Sequence, residues 1–121
     1  MQSTCIPLFT TPTRKVDLYK MAYCNYRLNE WDKAIEKFKS LSNAKDSLGQ
    51  TAMYLLGDCY LKSKDKIGAR NAFGLCADLN FNLGQQEASM MLYAMISFEM
   101  GYNDEASRQL TNLLTTFPET G

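Results

Sequence analysis

Histidine is absent from the 121-residue chain, and no two of its four cysteines stand at C-x-x-C spacing. The residue patterns of the common zinc arrangements are therefore missing. Lacking histidine, the chain also lacks the side chain that most often serves as a catalytic base. Charge of one sign is lacking too: 13 basic residues face 13 acidic ones. A balanced surface offers no basic stripe for nucleic acid and no polybasic segment for an anionic membrane. Lys62, Lys64 and Lys66 are interrupted by Asp65 and read as a solvated turn. The longest apolar run, Met90 to Ile96, falls far short of the roughly 18 residues that a membrane-spanning helix needs. Met1 to Thr13 has neither the basic start nor the continuous apolar centre of a secretory signal. The compartment stays open between cytoplasm and periplasm, for a soluble protein. No proline occurs between Pro12 and Pro118, which leaves more than a hundred residues free of helix breakers.

That uninterrupted stretch carries helical periodicity. Trp31, Ala34, Ile35, Phe38 and Leu41 fall on one helical face. Ala52, Leu55, Leu56, Cys59 and Tyr60 do the same, as do Ala106, Leu110, Leu113, Leu114 and Phe117. Turn signals at Asn29-Glu30, Lys64-Asp65 and Gly101 to Asp104 separate periodic runs. The pattern predicts six helices, over 16–28, 31–43, 47–62, 66–78, 84–100 and 104–116, and no strand.

The runs also resemble one another. Met53, Leu56, Gly57 and Tyr60, followed by Ala69 and Phe73, spell large-x-x-L-G-x-x-Y and then A-x-x-x-F. A shift of 35 residues takes Ala69 and Phe73 back to Ala34 and Phe38, behind Leu18, Met21 and Ala22. A shift of 37 carries them forward to Ala106 and Leu110, behind Met90, Tyr93 and Ala94. Asn25 and Ser97 replace the aromatic residue, and Pro118 sits where a repeat closes. This pattern resembles the tetratricopeptide repeat (TPR) family. The resemblance implies an all-α fold, a right-handed α-solenoid of about three antiparallel helix hairpins over 16–46, 47–83 and 84–121, behind an arm at 1–15. Small residues (Ala22, Gly57, Ala94; Ala34, Ala69, Ala106) are expected where helices approach closely. Phe38, Phe73 and Leu110 are expected to fill the space between successive hairpins.

In that family the first helix of each pair lines a concave ligand groove. The resemblance puts Tyr19, Tyr23, Tyr26 and Arg27, then Tyr54, Asp58, Leu61 and Lys62, then Met91, Met95, Phe98 and Glu99 on that side. Tyrosine and methionine suit protein contact, the one stiff and amphipathic, the other adaptable. The alternative is that these side chains pack on a neighbouring segment of the chain. The Lys, Asn and Arg clamp that grips chaperone tails in one subfamily is absent at Tyr19, Tyr23, Tyr54, Asp58, Met91 and Met95. The expected partner is therefore a protein or peptide of another kind. Self-assembly, or service as a recognition segment within a larger repeat protein, is the competing reading. The loop 78–82 and the ending Thr116 to Glu119 resemble repeat proteins of bacterial cell envelopes. No cofactor, metal or catalytic residue is expected, and the four cysteines read as reduced core thiols, although their even number leaves a disulfide open.

Overall fold

A computed structural model describes residues 14–118, which form six helices: α1 (Lys15–Arg27), α2 (Trp31–Lys39), α3 (Ser47–Lys62), α4 (Lys66–Ala77), α5 (Leu83–Glu99) and α6 (Asn103–Thr116). Three of them start on side-chain caps. Asp46, Asp65 and Asn82 each accept the backbone N–H three residues on, from Gly49, Gly68 and Gln85, at 2.8 to 2.9 Å. The others carry carboxylates in the first turn instead: Asp17 in α1, Asp32 in α2, Asp104 and Glu105 in α6. The expected arm at 1–15 lies outside the described residues as far as residue 13; Arg14 and Lys15 already open α1.

Five helices match the expected limits to within one residue. The exception is α2, which stops at Lys39. Beyond it Ser40, Leu41, Ser42 and Ala44 each bond back three residues rather than four, so the chain tightens into turns. Leu41 stays buried all the same, and so keeps its predicted place in the core.

The three turns within the expected repeats have one hydrogen-bond pattern. Asn29 (φ 62°), Lys64 (φ 66°) and Gly101 (φ 88°) occupy the left-handed region. The residue after each, Glu30, Asp65 or Tyr102, donates its N–H at 2.8 Å to the carbonyl five back, on Asn25, Tyr60 or Ser97. Spacing explains why Asn, Lys and Gly recur there: 29, 64 and 101 differ by the same 35 and 37 residues as the motif.

Each helix packs on the next one in the chain, and α3 also touches α1 and α5. The core runs along the array in three linked clusters, around Phe38, Phe73 and Leu113. All six expected small residues are buried. At Gly57 the reason is visible, since a Cβ there would lie 2.6 Å from the Phe73 ring. One buried polar side chain fixes a long connection. Gln50 Nε2 donates to the carbonyls of Leu79 (2.6 Å) and Asn82 (3.1 Å), while its Oε1 accepts from Asn82 N (2.7 Å). The α4–α5 loop is thereby tied to α3.

Two expectations need correction. Leu110 does not fill a gap between helix pairs but is exposed, because no described helix follows α6. Cys24 is disulfide-bonded rather than a reduced thiol, whereas Cys59 and Cys76 are free and buried. Cys24 lies on α1, which has no described helix in front of it, while the matching Cys59 is enclosed between neighbours. Among the described residues no helix is long and apolar enough to cross a membrane.

Candidate interaction face on α1, α3 and α5

Helices α1, α3 and α5 lie side by side, α3 in contact with both others. Among the described residues α2, α4 and α6 do not touch one another. The sequence therefore brings its odd-numbered helices together and splays its even-numbered ones.

On α1 three tyrosines stack in a row. The Tyr19 and Tyr23 rings are 6.2 Å apart and the Tyr23 and Tyr26 rings 6.0 Å, each pair inclined by less than 30°. The spacings 19, 23 and 26 are helical neighbours on one face, which is why the rings meet. Tyr19 leans inward on Phe38, and its burial, with Tyr23 alongside, raises its hydroxyl pKa. Tyr26 donates a 2.7 Å hydrogen bond to Asp58 on α3 and packs edge-on to Trp31. Its pKa is strongly raised, first by that bond to a carboxylate and then by burial. Asp58 also pairs with Lys62 at 4.0 Å, whose ammonium sits 5.6 Å over Trp31. Arg27 donates to the Tyr23 hydroxyl at 3.3 Å. Six of the residues singled out on the groove side, Tyr19, Tyr23, Tyr26, Arg27, Asp58 and Lys62, thus form one connected aromatic and charged patch.

The remaining ones are placed differently. Tyr54 turns its ring edge to Phe73 and belongs to the core margin. Leu61 packs with the Phe73 cluster and Met91 with the Leu113 cluster. Met95 and Phe98 are exposed, and Glu99 is paired with Lys66 at 2.9 Å.

A second polar cluster was not foreseen from the sequence. The Arg70 guanidinium lies 4.7 Å from both the Tyr93 and Tyr102 rings and donates through Nε to Ser97 Oγ at 2.7 Å. Tyr93 donates to Glu105 at 2.9 Å, and Glu105 pairs with Arg108. These bonds hold the Glu105 carboxyl below its usual range. The signal was Ser97, a small polar residue where the repeat normally has an aromatic ring. It leaves room for an arginine sandwiched by Tyr93 and Tyr102. The cluster joins α4, α5 and α6, and every member is engaged. Among the described residues no group of three or more Cys, Asp or Glu side chains is arranged to hold a metal ion.

Six helices in sequential contact, with one turn geometry recurring at the motif spacing, define a helical-repeat protein. Residues 18–47, from α1 into the first residue of α3, match the family model described as tetratricopeptide repeat, so the chain carries a tetratricopeptide repeat. Repeats of this family are non-catalytic and generally mediate protein–protein interaction. No curated protein and no solved structure matches the chain.

Proposed function

We propose that the chain is a short right-handed α-solenoid of three antiparallel TPR-type hairpins, over 16–46, 47–83 and 84–121, behind an arm at 1–15. It binds a peptide or helix of a partner protein on the concave face formed by α1, α3 and α5, and it is not an enzyme. The recurring turns and the contact of α3 with α1 and α5 support the curvature. Helices that touch on one side and part on the other bend the array towards the touching side.

One observation carries the binding reading. The register position 23, 58, 95 sets Tyr23, Asp58 and Met95 in line across the three helices, and Tyr23 and Met95 are exposed. An aromatic ring, a carboxylate and a thioether in line offer apolar contact with one acceptor between, which suits an amphipathic segment. Tyr19, Tyr26 and Arg27 extend this line on α1, Lys62 on α3 and Phe98 on α5, with Tyr54, Leu61 and Met91 set deeper, against the core clusters. Phe98 stands at the edge of the face.

The test is selection of a peptide from a displayed library on the wild-type chain, followed by titration into Tyr23→Glu/Met95→Glu. Both side chains are exposed, so the helices should survive, as circular dichroism will check. At least a tenfold loss of affinity with helicity intact supports the face. Equal affinity for both proteins places the site elsewhere and refutes it. Tyr54 is a poor choice for this purpose, because its contact with Phe73 confounds binding with folding.

A further inference from the structure

Repeat three departs from repeat two at three matched positions, and at two of them from repeat one as well, and each departure concerns what comes next in the array. Phe38 and Phe73 are 0% and 1% exposed, because Ala52 and Met53 of α3 close over the one and Ile96 of α5 over the other. The matching Leu110 is 41% exposed. Ala77 lies buried under Met90 and Leu113, but its counterpart Leu114 is 51% exposed. Tyr26 and Leu61 are half-buried, the first bonded to Asp58 of the following pair and the second packed by Ile96. Their counterpart Phe98 is 66% exposed. Leu110, Leu114 and Phe98 are thus one uncovered repeat-to-repeat interface. The α6 side of it is also uncharged: no Asp, Glu, Lys or Arg occurs from Gln109 to Pro118.

The opposite flank is built otherwise. Where α3 and α5 receive the preceding helix they present Ala52 and Ser89, both fully buried, with Leu55 and Leu92 partly buried beside them. At the same positions α1 presents Asp17 and Lys20. Pressing an apolar flank onto that pair would desolvate two charges with no partner across the contact. Head-to-tail stacking, which would continue without end, is therefore disfavoured. An uncharged apolar flank meets its own copy about a two-fold axis without opposing like charges. The geometry points to a closed dimer in which two copies of this chain pair through their α6 flanks, Leu110, Leu114 and Phe98 of each covering those of the other.

This pairing does not rest on peptide binding by α1, α3 and α5. Sedimentation velocity over two decades of concentration tests it. The wild type is expected to approach twice the chain mass of 13.7 kDa. Leu110→Glu/Leu114→Glu should sediment as a monomer throughout, its dimer weakened at least tenfold and its helical dichroism unchanged. Ile67→Glu, an exposed apolar site on α4, should dimerise like the wild type. Three results overturn the proposal. A wild type monomeric at every concentration would assign the flank to another helix, from a partner or a longer chain. Mass that grows without limit would mean head-to-tail stacking. A dimer that persists in the double variant would mean that another surface pairs.

Discussion

Gly57→Ala puts the packing argument to a test of sign. In a helix interior alanine is favoured over glycine by about 0.8–1.0 kcal/mol, so propensity alone predicts stabilisation. The structure predicts the reverse. A Cβ at residue 57 would stand 2.6 Å from Cε1 and Cζ of Phe73 and 2.8 Å from Cδ1. Carbon atoms rest about 3.5–4.0 Å apart, so ring or helix must give way by about 1 Å. The ring has little room to do so, being fully enclosed, with Tyr54 edge-on at 6.0 Å and Ala69 and Ile96 around it. Overpacking of this kind costs about 1–3 kcal/mol. Set against the propensity gain, a net loss of about 1 kcal/mol is expected in urea unfolding followed by circular dichroism. Two companions sharpen the result. Gly84→Ala, whose nearest neighbour is Asn82 Oδ1 at 3.4 Å, should instead gain a few tenths of a kcal/mol or remain neutral. Phe73→Leu should cost less in the Gly57→Ala background than in the wild type, since part of its cavity is already claimed. A Gly57→Ala protein with a raised midpoint and unchanged slope would refute the reasoning.

Three further outcomes follow from the geometry. Lys64 holds φ at 66°, a region that costs an L side chain about 1–2 kcal/mol, so Lys64→Gly should stabilise by about 0.5–1 kcal/mol after the unfolded-state entropy of glycine is subtracted, measured by the same unfolding assay. The Asp46 carboxyl is held below its usual pKa by the Lys15 ammonium and then by the Gly49 N–H. Its contribution is present above about pH 4 and is lost as pH falls through the lower folded value, so the stability gap to Asp46→Asn should close in acid; screening of this exposed pair keeps the gap below about 1 kcal/mol. Burial pushes the thiols of Cys59 and Cys76 up to about 12 and about 11, so alkylation at neutral pH should be slow in the native protein and fast in urea, which mass spectrometry of labelled peptides will show.

Much of this architecture was legible because the informative residues act locally. Helical periodicity placed the helices, and Gly57, Ala69 and Phe73 marked where two of them meet. Asn29-Glu30, Lys64-Asp65 and Gly101 marked the turns. What escaped the sequence depends on contacts far apart in the chain. Leu41 continues the apolar stripe of α2 after the backbone has left the helix, so periodicity overran the true end. Gln50 looked like any polar helix residue until the α4–α5 loop folded over it. Arg70 is unremarkable until Ser97, Tyr93 and Tyr102 are brought around it from two other elements. On the candidate face, residue type showed only that α1 carries three tyrosines at helical spacing. It did not foretell that Asp58 is already engaged by Tyr26 and Lys62, or that Tyr54 and Met91 turn towards the core.

The central claim, that partners dock on the face of α1, α3 and α5, is tested most directly by amide and methyl NMR shift mapping with a selected peptide. The account predicts that the largest changes fall at Tyr23, Tyr26, Asp58 and Met95, with α4 and the outer side of α6 little affected. Changes concentrated on Ile67, Leu75 and α6, with Tyr23 and Met95 unmoved, would contradict it.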